Sequence, residues 1–204
     1  GQMPNAKLSI RSILSHEVPG LLNQDELDVA IASEPESRAE SLICDPLLRD
    51  PFVLVMQKNA GFDPVPLLDG SDALPFLRFN REHLIGMQVE AHLARNRITL
   101  PDRYAFDSVQ SILAIVADGN GWSIITPLGF ARAQRFAERV ALHPLPLPVF
   151  ARRISLMSRS DSDRPVAHAI AALLRSIVAQ SEVGPIIAAY PWLAGVFATL
   201  DPSD

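Results

Sequence analysis

Apolar residues recur along the chain in two spacings, which together predict alternating strands and helices. Residues 7–14 alternate polar and apolar side chains, as a half-buried strand does. Ser15 then stands at a helix N-cap position, with Glu17 in the first turn, where the helix dipole favours a carboxylate. Residues 27–32 form a short apolar run fit for a buried strand. Strand, helix and strand in this order predict a βαβ unit and therefore a parallel sheet.

The rest of the chain continues this alternation. A polar, proline-bearing loop over residues 59–72 and a stiff segment with three prolines over residues 144–148 are the two predicted connections between lobes. Further strands are predicted at residues 52–56, 76–79, 98–106, 122–126 and 152–159, and helices at residues 81–96, 128–138 and 164–180.

The clearest helix follows Asp107 and Ser108, either of which is placed to cap it. It ends at Gly119, which suits the left-handed residue that commonly follows a helix. Its apolar side chains fall at i, i+3, i+4 and i+7 and so share one face; they are Val109, Ile112, Leu113 and Val116.

Composition narrows the class of protein. The chain has 204 residues, of which 48% are hydrophobic and 20% charged, so a wholly disordered chain is excluded. A single cysteine, Cys44, excludes a disulfide scaffold and fits a reducing cytoplasm. The net charge of −5 argues against this segment binding DNA through its own surface. The apolar region 185–200 is interrupted by Pro191 and is shorter than the roughly 20 residues that span a bilayer, so no membrane partner is expected.

Catalytic and metal-binding patterns are incomplete. His16-Glu17 opens a zinc-protease pattern, but the position of its second histidine is Gly20. The sequence contains no G-x-S-x-G segment, and Gly119-Asn120-Gly121 lacks the third glycine of a dinucleotide fingerprint. The sequence therefore predicts no enzyme, no cofactor and no metal site.

Polar residues at three helix starts offer a different chemistry. Ser15, the pair Asn80 and Arg81, and the pair Asp107 and Ser108 each follow a predicted strand. Small ligands bind beyond the carboxyl ends of strands in open α/β sheets, and free N–H groups and hydroxyls there favour an anion such as a carboxylate. The alternative is plain helix capping.

Four segments, in order, resemble motifs of the LysR-type transcriptional regulators. Residues 22–31 (LNQDELDVAI) resemble the family's L-x-x-G-E-L-D-L-A-I, and residues 46–55 (PLLRDPFVLV) resemble P-L-x-x-D-P-L-V-L-V. Residues 74–79 (LPFLRF) are similar to L-P-F-I-R-Y, and residues 115–127 (IVADGNGWSIITP) to x-V-A-A-G-x-G-x-A-I-x-x-P. Because the four matches keep their order over residues 5–175, the chain is identified as a member of this family.

The resemblance implies the effector-binding domain of such a regulator. Its fold is an α/β, two-lobed, periplasmic-binding-protein-like (type 2) fold, with mixed, mostly parallel sheets and a cleft between the lobes. Lobe I is expected over residues 1–56 and 160–204, and lobe II over residues 57–159. The family's helix-turn-helix, first strand and first helix are expected to be absent from this chain. The apolar residues 180–204 are expected to pack on a lobe or on a partner subunit.

The resemblance also implies the residues that line the cleft. Arg81 among them is either a bidentate partner of an effector carboxylate or a solvated surface charge. The candidate ligand-binding residues are Ser15, Asn80, Arg81, Asp107, Ser108, Val109, Thr126 and Pro127.

The function implied is that of a cytoplasmic sensory domain. A small-molecule effector, with carboxylates as one candidate class, would bind in the cleft of a homodimer or homotetramer. DNA would be contacted only through the absent helix-turn-helix. The alternative on the same fold is the solute-binding protein of a transporter.

Overall fold

Two long antiparallel strands form the centre of the first sheet. They are β2 (Leu42–Pro51) and β8 (Ala151–Arg159). β1 (Ala30–Ser33) pairs antiparallel with β8, and β9 (Ala198–Thr199) pairs antiparallel with β2, so the strand order is β1-β8-β2-β9. This sheet belongs to lobe I.

The computed structural model describes residues 9–35, 41–61, 65–69, 74–160, 162 and 164–202.

The second sheet belongs to lobe II and has β3 at its centre. β3 pairs antiparallel with β6 on one side and with β7 on the other. β4 and β5 pair in parallel, and a parallel bridge between Phe76 and Trp122 joins them to the edge beside β6. The strands of lobe II are β3 (Val53–Gln57), β4 (Leu77–Phe79), β5 (Tyr104–Phe106), β6 (Ser123–Ile125) and β7 (Val140–His143).

Helices cover both sheets. In lobe I, the short α1 packs beside β1, and α5 packs on β2 and β8. In lobe II, α2 packs on β4, and α3 packs on β3, β6 and β7, while α4 lies against β2 of the other lobe. The helices are α1 (Val18–Asn23), α2 (Leu84–Arg95), α3 (Val109–Ala117), α4 (Pro127–Ala131), α5 (Arg164–Val178) and α6 (Gly184–Ala189), with a π-helical turn at Ala179–Val183.

The α3 helix forms where the sequence predicts it. Ser108 is its N-cap and accepts a hydrogen bond from the Ser111 N–H. Gly119 has φ +78°, and its N–H donates to the Val116 carbonyl, while the Asn120 N–H donates to the Ile115 carbonyl. These two bonds are the Schellman arrangement that ends a helix. Three of the four predicted apolar positions of α3 are fully buried.

The chain crosses between the lobes at residues 51–53 and again at residues 150–151. The two crossings are held together by a hydrogen bond from the Phe52 N–H to the Phe150 carbonyl, 3.0 Å. The Phe52 and Phe150 rings stack at 4.3 Å, and His92 of α2 stacks on the other side of Phe150 at 3.7 Å. Burial lowers the pKa of His92, so the imidazole in this stack favours the neutral form.

The arrangement of two helix-covered sheets joined by paired crossings is the two-lobed α/β fold expected. The pairing within it differs from the expectation of mostly parallel sheets. β1 pairs with β8, which returns from lobe II, so the two strands run in opposite directions. Residues 9–14 form no strand in the structure, and residues 7–8 lie outside the described part of the chain. The predicted parallel βαβ unit is therefore wrong for the residues described. Of the predicted connection at residues 59–72, the described residues Leu67 and Leu68 share a buried cluster with Leu54 of β3 and thus pack on lobe II.

The C-terminal tail, residues 180–202, contributes side chains to the largest buried hydrophobic cluster of the described residues. Val183, Ile186, Leu193 and Phe197 are buried in the cluster that also contains Phe130 of α4. The tail therefore packs on the lobes of its own chain, the first of the two expected positions.

Two further contacts of the tail, at Tyr190 and at Val196, join the two lobes. The Tyr190 ring meets Phe130 edge-on at 6.0 Å, and Arg49 of β2 donates to the Val196 carbonyl at 3.1 Å. The tail thereby links β2 in lobe I to α4 in lobe II.

Among the described residues, one helical stretch, residues 164–189, is long and apolar enough to cross a membrane by length and composition alone, with a mean hydropathy of 1.4 over 18 of its residues. Ala167 and Ala171 of α5 are buried against the sheet of lobe I, whereas Leu173 and Ile177 are about half exposed. The stretch is therefore amphipathic, and we interpret it as a helix of the domain.

Phe197→Ala is expected to destabilise the domain by about 3–5 kcal/mol, because it removes a fully buried ring from the main core. Urea denaturation measures the change. Val149→Ala, at a side chain that is 75% exposed, is the control and should stay within about 0.5 kcal/mol of wild type. Equal effects of the two substitutions would contradict the packing of the tail in the core.

Candidate functional site

A cavity of about 560 Å³ lies between the lobes. Lobe I contributes the segment before α1 and the adjoining ends of β1 and β8, and lobe II contributes one face of α2. Most of the lining side chains are apolar. The lining residues from lobe I are Ile13, Leu14, Ser15, His16, Ser33, Pro35 and Arg152, and those from lobe II are His83, Leu84, Ile85, Met87, Gln88 and Ala91.

A buried ion pair lies at the side of this cavity next to the two crossings between the lobes, which together are called the hinge below. Asp50, at the end of β2, is fully buried, and the side chain of Arg152 in β8 is 13% exposed. The Arg152 Nε and Nη2 atoms both donate to Asp50 Oδ2, at 2.9 and 2.8 Å. Arg152 also donates to the Ser33 hydroxyl at 3.4 Å and to the Thr126 hydroxyl at 3.3 Å. One guanidinium thus connects β1, β2, β8 and the start of α4.

The other oxygen of Asp50 holds α4. Asp50 Oδ1 accepts the backbone N–H of Leu128 at 3.1 Å, so a carboxylate meets an N–H group in the first turn of the helix. Burial raises the pKa of Asp50, whereas Arg152 and the hydrogen bonds oppose that shift. Since every neighbour with a fixed proton donates to Asp50, the arrangement is that of an ionised carboxylate paired with Arg152.

A second polar cluster lies at the lobe II rim of the cavity. Asp107 Oδ1 accepts from the Asn80 amide at 2.9 Å and lies 3.3 Å from Nε2 of His83, which lines the cavity. Asn80 Oδ1 in turn accepts the Glu82 N–H at 3.0 Å, so the amide fixes the turn before α2. His83 is the N-cap residue of α2. The cluster therefore sets the position of this helix start at the cavity.

The structure brings five of the eight sequence-predicted residues to these places. Ser15 lines the cavity. Asn80 and Asp107 form the rim cluster, and Thr126 and Pro127 begin α4 beside the Asp50 pair. In α4 the Thr126 hydroxyl accepts the Gly129 N–H at 3.3 Å, so this residue also has the capping role that was the alternative interpretation.

The three other predicted residues lie elsewhere. Ser108 caps α3, and Val109 packs against the main core. Arg81 pairs with Asp102 at 2.9 Å and with Glu90 at 3.4 Å, and it is not among the residues that line the cavity. In this structure Arg81 is thus a paired surface charge, the second of its two interpretations.

Sequence reasoning missed the residues with the most definite polar contacts at the cavity. Asp50 stands in the apolar stretch of residues 47–56, and a carboxylate among such residues is the signal that a buried partner exists. Arg152 offers no comparable signal, because only the strand pairing reveals that β8 lies next to β2. His83 and Gln88 also line the cavity, at the start and in the second turn of α2, which begins at Leu84 and not at the predicted residue 81.

The searched part of the chain, which comprises the described residues, contains no group of three or more His, Cys, Asp or Glu residues able to hold a metal ion. The cavity lining combines apolar side chains with polar ones such as Ser15, His83 and Gln88, so it offers a ligand both apolar contact and hydrogen bonds.

Asp50→Ala is expected to destabilise the domain by about 3–5 kcal/mol, because it leaves the mostly buried Arg152 without its carboxylate. Urea denaturation measures the loss. Asp118→Ala breaks an ion pair with Arg139 whose side chains are both more than half exposed, and it should cost at most about 1 kcal/mol. A loss for Asp50→Ala as small as that of the control would show that the buried pair contributes little.

The sequence model of the LysR substrate binding domain matches residues 1–179. No curated protein matches the chain. Among solved structures, the effector binding domain of QuiR in complex with shikimate is 18% identical, with a TM-score of 0.61 over 80% of this chain and 77% of that one.

Two further solved structures share the fold. The regulatory domain of CcmR from Synechocystis PCC6803, in complex with 2-PG, is 17% identical, with a TM-score of 0.65 over 88% of this chain and 86% of that one. A C206 mutant of OxyR from Corynebacterium glutamicum is 23% identical, with a TM-score of 0.66 over 93% of this chain. The match spans 58% of that OxyR chain. The chain belongs to the LysR substrate binding domain family.

Proposed function

We propose that the chain is the ligand-sensing domain of a LysR-type transcription regulator and that a small-molecule effector binds in the cavity between its lobes. The observation that carries the proposal is a cavity of about 560 Å³ whose walls come from both lobes, in a chain of this family. The size falls within the range of 300–1,000 Å³ that is usual for small-molecule sites. The QuiR and CcmR domains, solved with shikimate and 2-PG, support a small molecule as the occupant.

A ligand in this cavity would change the equilibrium between different arrangements of the two lobes. It contacts α2 of lobe II and the segment 13–16 of lobe I together, so its affinity depends on how the lobes are arranged. A ligand shifts an equilibrium between two arrangements by its difference in affinity for them. The crossings at Phe52 and Phe150 are the positions about which such a change would turn.

The polar contacts of the effector would come from both walls. Ser15, His16 and Ser33 offer them from lobe I, and His83 and Gln88 from lobe II. Asn80 and Asp107 would act on the effector through His83, which they hold in place. Ser108, Thr126 and Pro127 would support the site by fixing the starts of α3 and α4.

The remaining parts of the function rest on the family. The domain would work in the cytoplasm as part of a homodimer or homotetramer, and DNA would be contacted by a helix-turn-helix outside this chain. Its role would be regulatory and not catalytic. A transporter's solute-binding protein shares the fold, but the match to the LysR family favours the regulator.

A thermal-shift screen of small metabolites against the purified domain tests the proposal. An effector present at 100 times its Kd adds about 2.7 kcal/mol to the stability of the folded state. Ala91→Trp fills the cavity from α2 and is expected to abolish the shift, because Ala91 lines it.

Ala172→Trp is the matched control, since Ala172 is exposed on α5 and lies outside the cavity. This variant should keep the full shift. Shifts that survive Ala91→Trp, or a library without any stabilising compound, would contradict an effector site in this cavity.

A further inference from the structure

We infer that the effector of this domain is an uncharged molecule, with an apolar body and one or two hydrogen-bonding groups, and not a carboxylate. This inference rests on the function proposed above and specifies the ligand class of the same cavity. It opposes the carboxylate that the helix starts suggest from sequence.

The permanent cation at the cavity is already neutralised. Among the described lining residues, Arg152 is the one with a permanent positive charge, and it gives two hydrogen bonds of 2.8 and 2.9 Å to Asp50 Oδ2. Asp50 occupies the Nε and Nη2 edge of the guanidinium, so an effector carboxylate would reach only Nη1 and would meet a pair whose charges already offset each other. Taking more of the guanidinium would leave the fully buried Asp50 without its counter-charge, which opposes binding of the anion.

The arginine that the sequence offers for a carboxylate is also engaged. Arg81 lies between Asp102 and Glu90, and it does not line the cavity. Arg78 of β4, three residues before Arg81, is also paired with Glu90 and with Asp102, the latter at 3.3 Å. An anion in the cavity therefore gains no direct partner from this cluster.

Carboxylates also stand at the rim of the cavity on both sides. In lobe II, Asp107 lies 3.3 Å from His83, the residue that precedes the first turn of α2. In lobe I, Glu17 accepts the N–H of the lining residue Leu14 at 2.9 Å. The two helix starts at the cavity, which would otherwise attract an anion, thus already have a carboxylate beside them.

The remaining lining suits an apolar body. Ile13 and Leu14 face the cavity from lobe I, and Leu84, Ile85 and Met87 from lobe II. Ser15, Ser33 and Gln88 lie among them and offer hydrogen bonds without net charge. The two lining histidines, His16 and His83, are the other polar groups, and His83 has the Asp107 carboxylate beside it. Such a lining holds the apolar part of a ligand by burial and fixes its orientation by few polar contacts.

Matched pairs of a carboxylic acid and its primary amide test the inference. Phenylacetate with phenylacetamide and octanoate with octanamide are titrated against the domain, and Kd is measured by ligand-observed NMR. We expect the amides to bind at least about tenfold more tightly than the acids, because an unpaired ion loses its hydration on entering the cavity. Equal or tighter binding of the acids would overturn the inference.

Variants separate this inference from the proposed function. Amide binding should be lost in Ala91→Trp and kept in Ala172→Trp. If no compound loses binding in Ala91→Trp, both the proposed function and the inferred ligand class are wrong. If the acids depend on Ala91 and bind more tightly than the amides, the function stands and the inference fails.

Removing the charge of Asp50 tests whether its pairing with Arg152 is the reason that acids bind weakly. Asp50→Asn keeps an oxygen for the Leu128 N–H but removes the negative charge facing Arg152. In this variant the acids should gain about tenfold in affinity or more, while the amides stay unchanged. Gln88→Lys adds an unpaired cation to the cavity and should favour the acids in the same way, even if Asp50→Asn unfolds. Acids that gain nothing in a folded variant would contradict the neutralisation of Arg152.

Discussion

The contact on which the rest of the structure depends is the buried pair of Asp50 and Arg152. Asp50 is the penultimate residue of the strand that leaves lobe I, and Arg152 is the second residue of the strand that returns to it. Their hydrogen bonds, with those to Ser33, Thr126 and Leu128, tie three strands and one helix start at a single point. A carboxylate without solvent requires such a partner, because isolated burial of a charge is far too costly. The pair therefore fixes the position of the α4 start in lobe II relative to the strands of lobe I.

The cavity and its chemistry follow from that hinge. Arg152 lies at the side of the cavity next to the hinge and is paired there with Asp50. The rest of the lining combines apolar side chains with separate polar groups. The stacked rings of Phe52, Phe150 and His92 continue the hinge on the lobe II side. On the opposite edge of β2, the C-terminal tail joins Arg49 to the core around Phe130. Charge and packing at the hinge thus determine how the two lobes are joined around the cavity.

Local patterns in the sequence predict local features well. The capped α3 with Gly119 at its end, the buried strand at residues 52–56 and the α5 helix all form as the spacing of apolar residues indicates. Pairing between distant segments carries no such pattern, so the antiparallel partnership of β1 with β8 and the tail strand β9 were not predicted. The candidate site divides in the same way: Ser15 and Asp107 precede helices and were found, whereas Arg152 reaches the cavity only through long-range pairing.

A double-mutant cycle on Asp50 and Arg152 tests the central claim most directly. The free energy of unfolding is measured by urea denaturation for wild type, Asp50→Ala, Arg152→Ala and the double variant. The account predicts a coupling energy of about 2–3 kcal/mol, the upper range for residues in one hydrogen-bonded network. A coupling energy below about 0.5 kcal/mol, as for residues that do not interact, would contradict the role of this pair as the fixed point between the lobes.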